Sequence, residues 1–234
     1  MPAQDKITFE LISRASHRIG ALLTVIKEGI SLVSEETAGR INTTQQKSLL
    51  FSQRAVNRLT QLITDLIDLE KILKQEIKLR KEKVNINELI NNVCEVIREE
   101  AAVKNISLKN KLSADLAAGY IDRDKTARAL INLIEDIIKF TPVGGHIDVS
   151  AGENDHIEIS VKSSSVVKGI AGYGALPPID KPIADLLENN KISLNIIIAK
   201  ALIQSQGGNI KLSRSNENGN EINLDIPKFQ EGTQ

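Results

Sequence analysis

A histidine inside a helical pattern is the first feature of the chain that could carry out chemistry. His17 lies two positions from Ala15 and two from Ile19, both on an apolar face whose residues recur at helical, heptad-like spacing. The residues of that face are Ile12, Ala15, Ile19, Leu22, Ile26 and Val33. The spacing predicts that the imidazole points away from this face. A solvent-facing ring nitrogen titrates near neutral pH and can accept a phosphoryl group and hand it on, whereas the simpler interpretation is an ordinary surface histidine.

Two long helices are predicted to carry His17. The first spans about residues 7–33, and a polar connection follows in which Thr43 and Gln46 have the spacing of a capping box. The second has apolar residues at heptad spacing, namely Leu49, Val56, Leu59, Ile63, Leu66, Leu73 and Ile77. Helices joined by so short a loop form an antiparallel hairpin that cannot cover its own apolar face. We therefore predict a homodimer in which two hairpins form a four-helix bundle; the alternative is that the second domain folds back over the hairpin.

A change of composition marks the second domain. A charged run from Leu79 to Lys83 predicts a solvated hinge. Helical patterns follow near residues 85–97, 122–140 and 192–206, and alternating strand patterns near 106–110, 147–149, 157–161, 210–212 and 222–226. Mainly antiparallel strands mixed with helices predict an α+β sandwich, one sheet covered on one face by helices. The predicted domains are a helical hairpin for dimerisation and phosphotransfer over residues 1–80 and a sandwich over residues 81–234.

Composition excludes several classes of function. The 234 residues carry 30 basic and 30 acidic side chains and no Trp, so neither a nucleic-acid partner nor a membrane surface is predicted. The single cysteine, Cys94, excludes a disulfide framework, suits a reducing compartment and falls in a predicted core position. No apolar run approaches the roughly 18 residues that span a bilayer, and no signal peptide is visible. We predict a cytoplasmic protein.

The stretch around His17 resembles the phosphoacceptor box of sensor histidine kinases, S-H-E-L-R-T-P-L. The retained family residues are Ser16, His17 and Leu23, with Ile19 in place of a Leu. The departures are Arg18, Gly20, Ala21 and Leu22, which stand where the family has an acid, Arg, Thr or Asn, and Pro. The resemblance implies that His17 is the phosphoacceptor. It also implies that the general base beside it is lost, because an Arg side chain cannot accept a proton.

The second domain resembles the ATP-binding domain of the same family, a Bergerat-type sandwich. Residues 132–142 resemble its Asn box, residues 199–210 the last helix with its Gly-Gly turn, and residues 84–90 the entry helix. Asn132 and Lys139 are retained, and Asp136 replaces the Asn that binds Mg²⁺ in the family. The resemblance implies that Asn132, Asp136 and Lys139 form a residual nucleotide site, with Asp136 as its metal ligand. A carboxylate adds negative charge beside a triphosphate, which weakens that assignment.

The other family motifs of the nucleotide site have changed. Ser163 stands where an Asp reads adenine, and Ser165 and Val167 stand where the family's D-x-G-x-G has glycines. Ser193 and Asn195 replace the glycines of the final G-x-G-L, whose backbone amides approach phosphates. The glycine-rich run 169–174 is predicted to be a lid remnant rather than a dinucleotide fingerprint. We therefore expect no cofactor, with ATP and Mg²⁺ required only if the chain is an active kinase.

Three functions remain open from the sequence. The first is a kinase-derived protein that relays phosphoryl groups through His17 to response-regulator receiver domains without charging itself from ATP. The second is a docking or regulatory pseudokinase that binds a receiver or a partner histidine kinase while His17 is vestigial. The third is a divergent but active histidine kinase, which the retained Asn132 and Lys139 favour.

Overall fold

The computed structural model describes residues 3–37, 39–74, 76–164, 193–214 and 219–230, without the side chains of residues 3–14, 17, 73, 214 and 220. It divides into two compact units, Met1–Glu76 and Ile77–Gln234. Within the described helices, none is long and apolar enough to cross a membrane.

The first unit is a pair of long helices, α1 (Ala3–Ser34) and α2 (Thr43–Leu73), which pack against each other. The capping box at the start of α2 lies one residue earlier than the sequence predicts. Asn42 Oδ1 accepts from the Gln45 backbone N–H at 2.9 Å, and Gln45 Oε1 accepts from the Asn42 N–H at 2.9 Å. The prediction of Thr43 and Gln46 was therefore wrong, because Asn42 adopts the extended cap conformation and Thr43 is already helical.

The predicted apolar face of α1 is largely exposed in the single chain. Leu23 and Val56 are buried, whereas Leu22 is 63% exposed and Phe51 is 67% exposed. Among the described side chains of the two helices, the exposed large apolar residues are Ile19, Leu22, Val25, Ile26, Leu32, Val33, Leu50, Phe51 and Leu59. An apolar set of this size on a helical hairpin is the kind of surface that other protein normally covers.

The second unit contains three described helices, two small strands and one larger sheet. The helices are α3 (Ile86–Val103), α4 (Arg123–Phe140) and α5 (Leu194–Ser205). The two small strands, β1 (Glu82–Val84) and β3 (Gly119–Ile121), pair antiparallel with each other. The strands of the larger sheet are β2 (Ser107–Leu112), β4 (His146–Glu153), β5 (Ile157–Ser163), β6 (Asn209–Arg214) and β7 (Asn220–Ile226).

The larger sheet has the order β2-β4-β5-β7-β6, in which β2 and β4 are parallel and the other pairs are antiparallel. Alternation explains its two faces. Ile157, Ile159 and Val161 of β5 are buried, whereas Lys162 on the opposite face forms an ion pair with Glu221 of β7. The mixed α+β architecture is as predicted, and Cys94 is buried in it. Each fully buried Ile of this core contributes about 1.5–3 kcal/mol of transfer free energy.

The predicted hinge at residues 79–83 is wrong for its last two residues. Glu82 and Lys83 belong to β1, which pairs with Ile121 and Tyr120 of β3. Neither three-residue strand has a sequence pattern of its own, and both are stabilised by pairing between segments far apart in the chain.

The turn after α5 requires its two glycines. Gly207 has φ of +90°, and the Gly208 N–H donates to Ile203 O at 3.0 Å, which together close the last helical turn. A Cβ on Gly208 would lie 2.4 Å from Asp225 O, so only glycine fits there. The predicted Gly-Gly end of the helix is therefore confirmed.

Candidate nucleotide site

The candidate site lies where α4 and α5 run antiparallel. Asp136, near the end of α4, contacts Ser193 and Asn195 at the start of α5, and Asp122 at the start of α4 contacts Gln206 at the end of α5. The helix pair thus has two polar ends. The end that holds Asp136 is called here the Asp136 cluster, comprising Asn132, Asp136, Ser193 and Asn195.

The Asp136 carboxylate is held by the two residues that replace the family glycines. Ser193 Oγ donates to Asp136 Oδ2, and Asn195 Nδ2 donates to Asp136 Oδ1 at 3.3 Å. Asp136 is 3% exposed, so the side chain meets protein rather than bulk water. Both carboxylate oxygens are therefore engaged by protein donors, as a buried charge requires.

Ser193 has two roles in the cluster. Its Oγ accepts from the Ile196 backbone N–H at 3.2 Å, which makes it the N-cap of α5, and the same hydroxyl donates to Asp136. The first turn of a helix favours a negative charge, because its amide groups and the helix dipole present positive partial charge. Asp136 supplies that charge from within the protein.

The position that reads adenine in the family is also engaged internally. Ser163 is buried, and its Oγ lies 3.0 Å from Thr141 Oγ1. Thr141 donates its hydroxyl proton to Ile137 O at 2.7 Å, so Ser163 must be the donor in the pair. The Ser163 hydroxyl therefore binds α4 at its C-terminal cap.

The predicted site residues on α4 differ in burial. Asn132 is buried one helical turn before Asp136, and its backbone carbonyl lies 3.5 Å from Asn195 Nδ2. Lys139 is exposed, with its ammonium 5.4 Å from the centre of the Phe140 ring. Ser165, Val167 and the run 169–174 lie outside the described residues.

His17 lies in α1, and its side chain, including the predicted orientation, lies outside the described part of the structure. Of its neighbours, Ser16 is buried and Arg18 is exposed. The sequence placed Ser193 and Asn195 at lost glycine positions but did not predict that they bind Asp136. It also missed Thr141 as the partner of Ser163. Ser193 before an apolar helix was a recognisable N-cap signal.

The residues of the cluster do not fit a magnesium-nucleotide complex. A cation on Asp136 would compete with the bonds from Ser193 and Asn195 for the carboxylate oxygens, and phosphates would approach a buried negative charge where the family has glycines. Over the described ranges, no group of three or more His, Cys, Asp or Glu side chains could hold a metal ion.

The chain is similar in sequence and in fold to known sensor histidine kinases. No protein-family profile matches the chain. The sensor histidine kinase WalK of Bacillus subtilis (strain 168) is 24% identical over 234 residues, which is 97% of this chain and 38% of that protein. The structure of full-length ShkA in complex with AMPPNP has a TM-score of 0.68 at 18% identity, over 96% of this chain and 47% of that one. Acinetobacter baumannii histidine kinase AdeS has a TM-score of 0.57 at 16% identity, over 89% and 96%.

The second unit therefore has the ATPase-type fold of histidine kinases. The relatives and structural neighbours of the whole chain are sensor histidine kinases of two-component signalling, and the chain corresponds to their catalytic core, a helical hairpin followed by the ATPase-type domain. It spans 38% of the length of WalK and 29% of the sensor protein DivL of Caulobacter vibrioides.

Proposed function

We propose that this chain is a two-component signalling protein that passes phosphoryl groups through His17 to a receiver domain and does not charge itself from ATP. The observation that carries the proposal is the Asp136 cluster, in which the residues at the former glycine positions bind the residue at the magnesium position. The three residues that differ from the family pattern, Asp136, Ser193 and Asn195, are linked by hydrogen bonds to the Asp136 carboxylate. These internal bonds occupy groups that would otherwise face a ligand.

A nucleotide would have to compete with the internal hydrogen bonds of the Asp136 cluster. Each hydrogen bond to a charged group is worth about 1.5–3 kcal/mol. Releasing the bonds from Ser193 and Asn195 would therefore cost about 3–6 kcal/mol, against about 8 kcal/mol for a micromolar ligand. The Ser163 hydroxyl lacks the acceptor strength of the carboxylate that reads adenine in the family, which weakens binding further. Together these losses place nucleotide affinity in the millimolar range or weaker.

Phosphoryl transfer between histidine and aspartate does not require the nucleotide-binding residues that this chain lacks. When a receiver aspartate attacks phosphohistidine, the P–N bond breaks as a P–O bond forms, and positioning with a Mg²⁺ on the receiver stabilises the charge. His17 supplies the imidazole, and the exposed apolar residues of α1 and α2 would pair two hairpins into a four-helix bundle that presents it. A cytoplasmic location is part of this proposal, since donor and receiver must share a compartment.

Two alternative functions are each supported by a specific observation. Arg18 and Ala21, which stand where the family has its base and its water-orienting residue, favour a pseudokinase that docks a receiver or a partner kinase. Kinase relatives and the retained Asn132 favour a divergent kinase that binds ATP and Mg²⁺.

The proposal is tested by phosphotransfer. The purified chain is incubated with receiver domains phosphorylated by a small phosphodonor, and acid-labile label on the chain is followed. We expect transfer that His17→Ala abolishes, while the matched variant His156→Ala leaves it intact. No His17-dependent transfer with any receiver of the source genome would overturn the relay, and signalling output left unchanged by His17→Ala would favour the docking alternative.

A further inference from the structure

The other end of the α4–α5 pair is built around a buried glutamine. Gln206 Oε1 accepts from the Asp122 backbone N–H at 2.7 Å and from Thr126 Oγ1 at 3.3 Å. Gln206 Nε2 donates to Leu202 O at 3.0 Å. All of these partners belong to α4 or α5 or cap them, so these hydrogen bonds hold the Gln206 side chain between the two helices.

The chain segment before β1 docks on this end at two points. The Arg80 backbone N–H donates to Asp122 Oδ2 at 2.9 Å, while Asp122 Oδ1 caps α4 by accepting from the Lys125 N–H at 3.1 Å. The Lys81 ammonium donates to Gln206 O at 2.7 Å. That carbonyl is at the C-terminal end of α5, where the helix dipole favours a positive charge.

The two sides of this contact differ in how firmly they are held. Asp122 and Gln206 are buried, and each keeps bonds to α4 or α5 that do not involve the docking segment. Arg80 is exposed and Lys81 is half-buried. The receiving surface is therefore preformed, and the docking segment is the side that can leave without dismantling the helix pair.

We propose that residues 80 and 81 form a releasable latch, which fastens the segment after the helical unit to the α4–α5 pair through Asp122 and Gln206. The latch and the Asp136 cluster sit at opposite ends of the same two helices. Release of the segment would free Asp122 Oδ2 and the Gln206 carbonyl at this end of the pair. The latch does not depend on the proposed function, because it uses no residue of the Asp136 cluster.

One substitution separates the latch from the helix cap. Asp122→Asn keeps the Oδ1 acceptor for the Lys125 N–H, since Asn is as good an N-cap as Asp, but replaces the second oxygen by an amide that cannot accept from Arg80. Lys81→Met removes the ammonium and keeps the length of the side chain. Lys78→Met is the matched control, because Lys78 is an exposed lysine of the same segment.

The experiment is amide hydrogen exchange by NMR on the full chain. We expect the Arg80 amide to exchange about ten-fold faster in Asp122→Asn and in Lys81→Met, with wild-type exchange in Lys78→Met and an unchanged Lys125 amide in all three. Arg80 exchange within two-fold of wild type in Lys81→Met would overturn the latch, since the two contacts would then not act together. Equal acceleration by Lys78→Met would overturn it as well.

Discussion

The two ends of the α4–α5 pair invite a direct comparison. The Asp136 end carries the residues that align with the family's nucleotide motifs, whereas the Gln206 end is a structural contact between the two helices. A binding site normally keeps polar groups oriented toward a ligand, whereas in a structural contact the polar groups form hydrogen bonds with other protein groups. Here both ends are satisfied internally. A residue's position in a family motif therefore does not by itself show that it binds a nucleotide. The hydrogen-bond partners of its polar atoms show whether those atoms are available to a ligand.

The largest effect is expected at the Gln206 end. Gln206→Leu leaves the buried Asp122 N–H and Thr126 hydroxyl without their acceptor, so we expect a loss of about 2–5 kcal/mol in the free energy of unfolding. Urea denaturation measures the loss. Gln204→Leu on the exposed side of the same helix is the control and should change stability by less than about 0.5 kcal/mol. Equal effects of the two changes would show that the hydrogen bonds of Gln206 to Asp122 and Thr126 do not stabilise the helix pair.

A smaller effect is expected at the Asp136 end. Ser193→Ala removes the N-cap of α5 and one donor to Asp136, and should cost about 1–3 kcal/mol. A double-mutant cycle with Asp136→Asn should show a coupling free energy of about 0.5–3 kcal/mol. Ser205→Ala, which removes a hydroxyl from the other end of α5, is the control in the same denaturation experiment. Additive effects of Ser193→Ala and Asp136→Asn would contradict this prediction, because the two side chains would then contribute to stability independently.

The smallest effect is expected where the family reads adenine. Ser163→Ala removes the hydroxyl that donates to Thr141, and Thr141 keeps its own bond to Ile137 O. We expect a loss of about 0.5–1.5 kcal/mol, measured by thermal or urea unfolding. Ser213→Ala on an exposed position of β6 should be neutral. A gain in stability for Ser163→Ala would indicate that Ser163 is kept for a ligand rather than for the fold.

The sequence predicted the elements whose signals are local. Alternation located β5 and β7, and helical periodicity located α3 and α4, because each pattern reports which face of its own element is buried. The capping box of α2 was misplaced by one residue, since Asn42 and Thr43 both suit an N-cap. The strands β1 and β3 were missed, because pairing between distant segments stabilises them.

The candidate site could be located from the sequence but not understood from it. Motif positions identified Asp136, Ser193 and Asn195 one by one as departures from the family. The bonds from Ser193 and Asn195 to Asp136 depend on an antiparallel packing that places residue 136 beside residue 193, which no local pattern encodes. The contacts of Gln206 and Lys81 have the same origin, since residues about 125 positions apart meet only in the folded domain.

The most direct test is a calorimetric titration of the purified chain with Mg²⁺-ATP. If the Asp136 cluster is closed by Ser193 and Asn195, no binding heat should appear below about 1 mM nucleotide, which corresponds to less than about 4 kcal/mol of affinity. Saturable binding with a Kd of about 10 μM or tighter, lost in Asp136→Leu, would contradict the account.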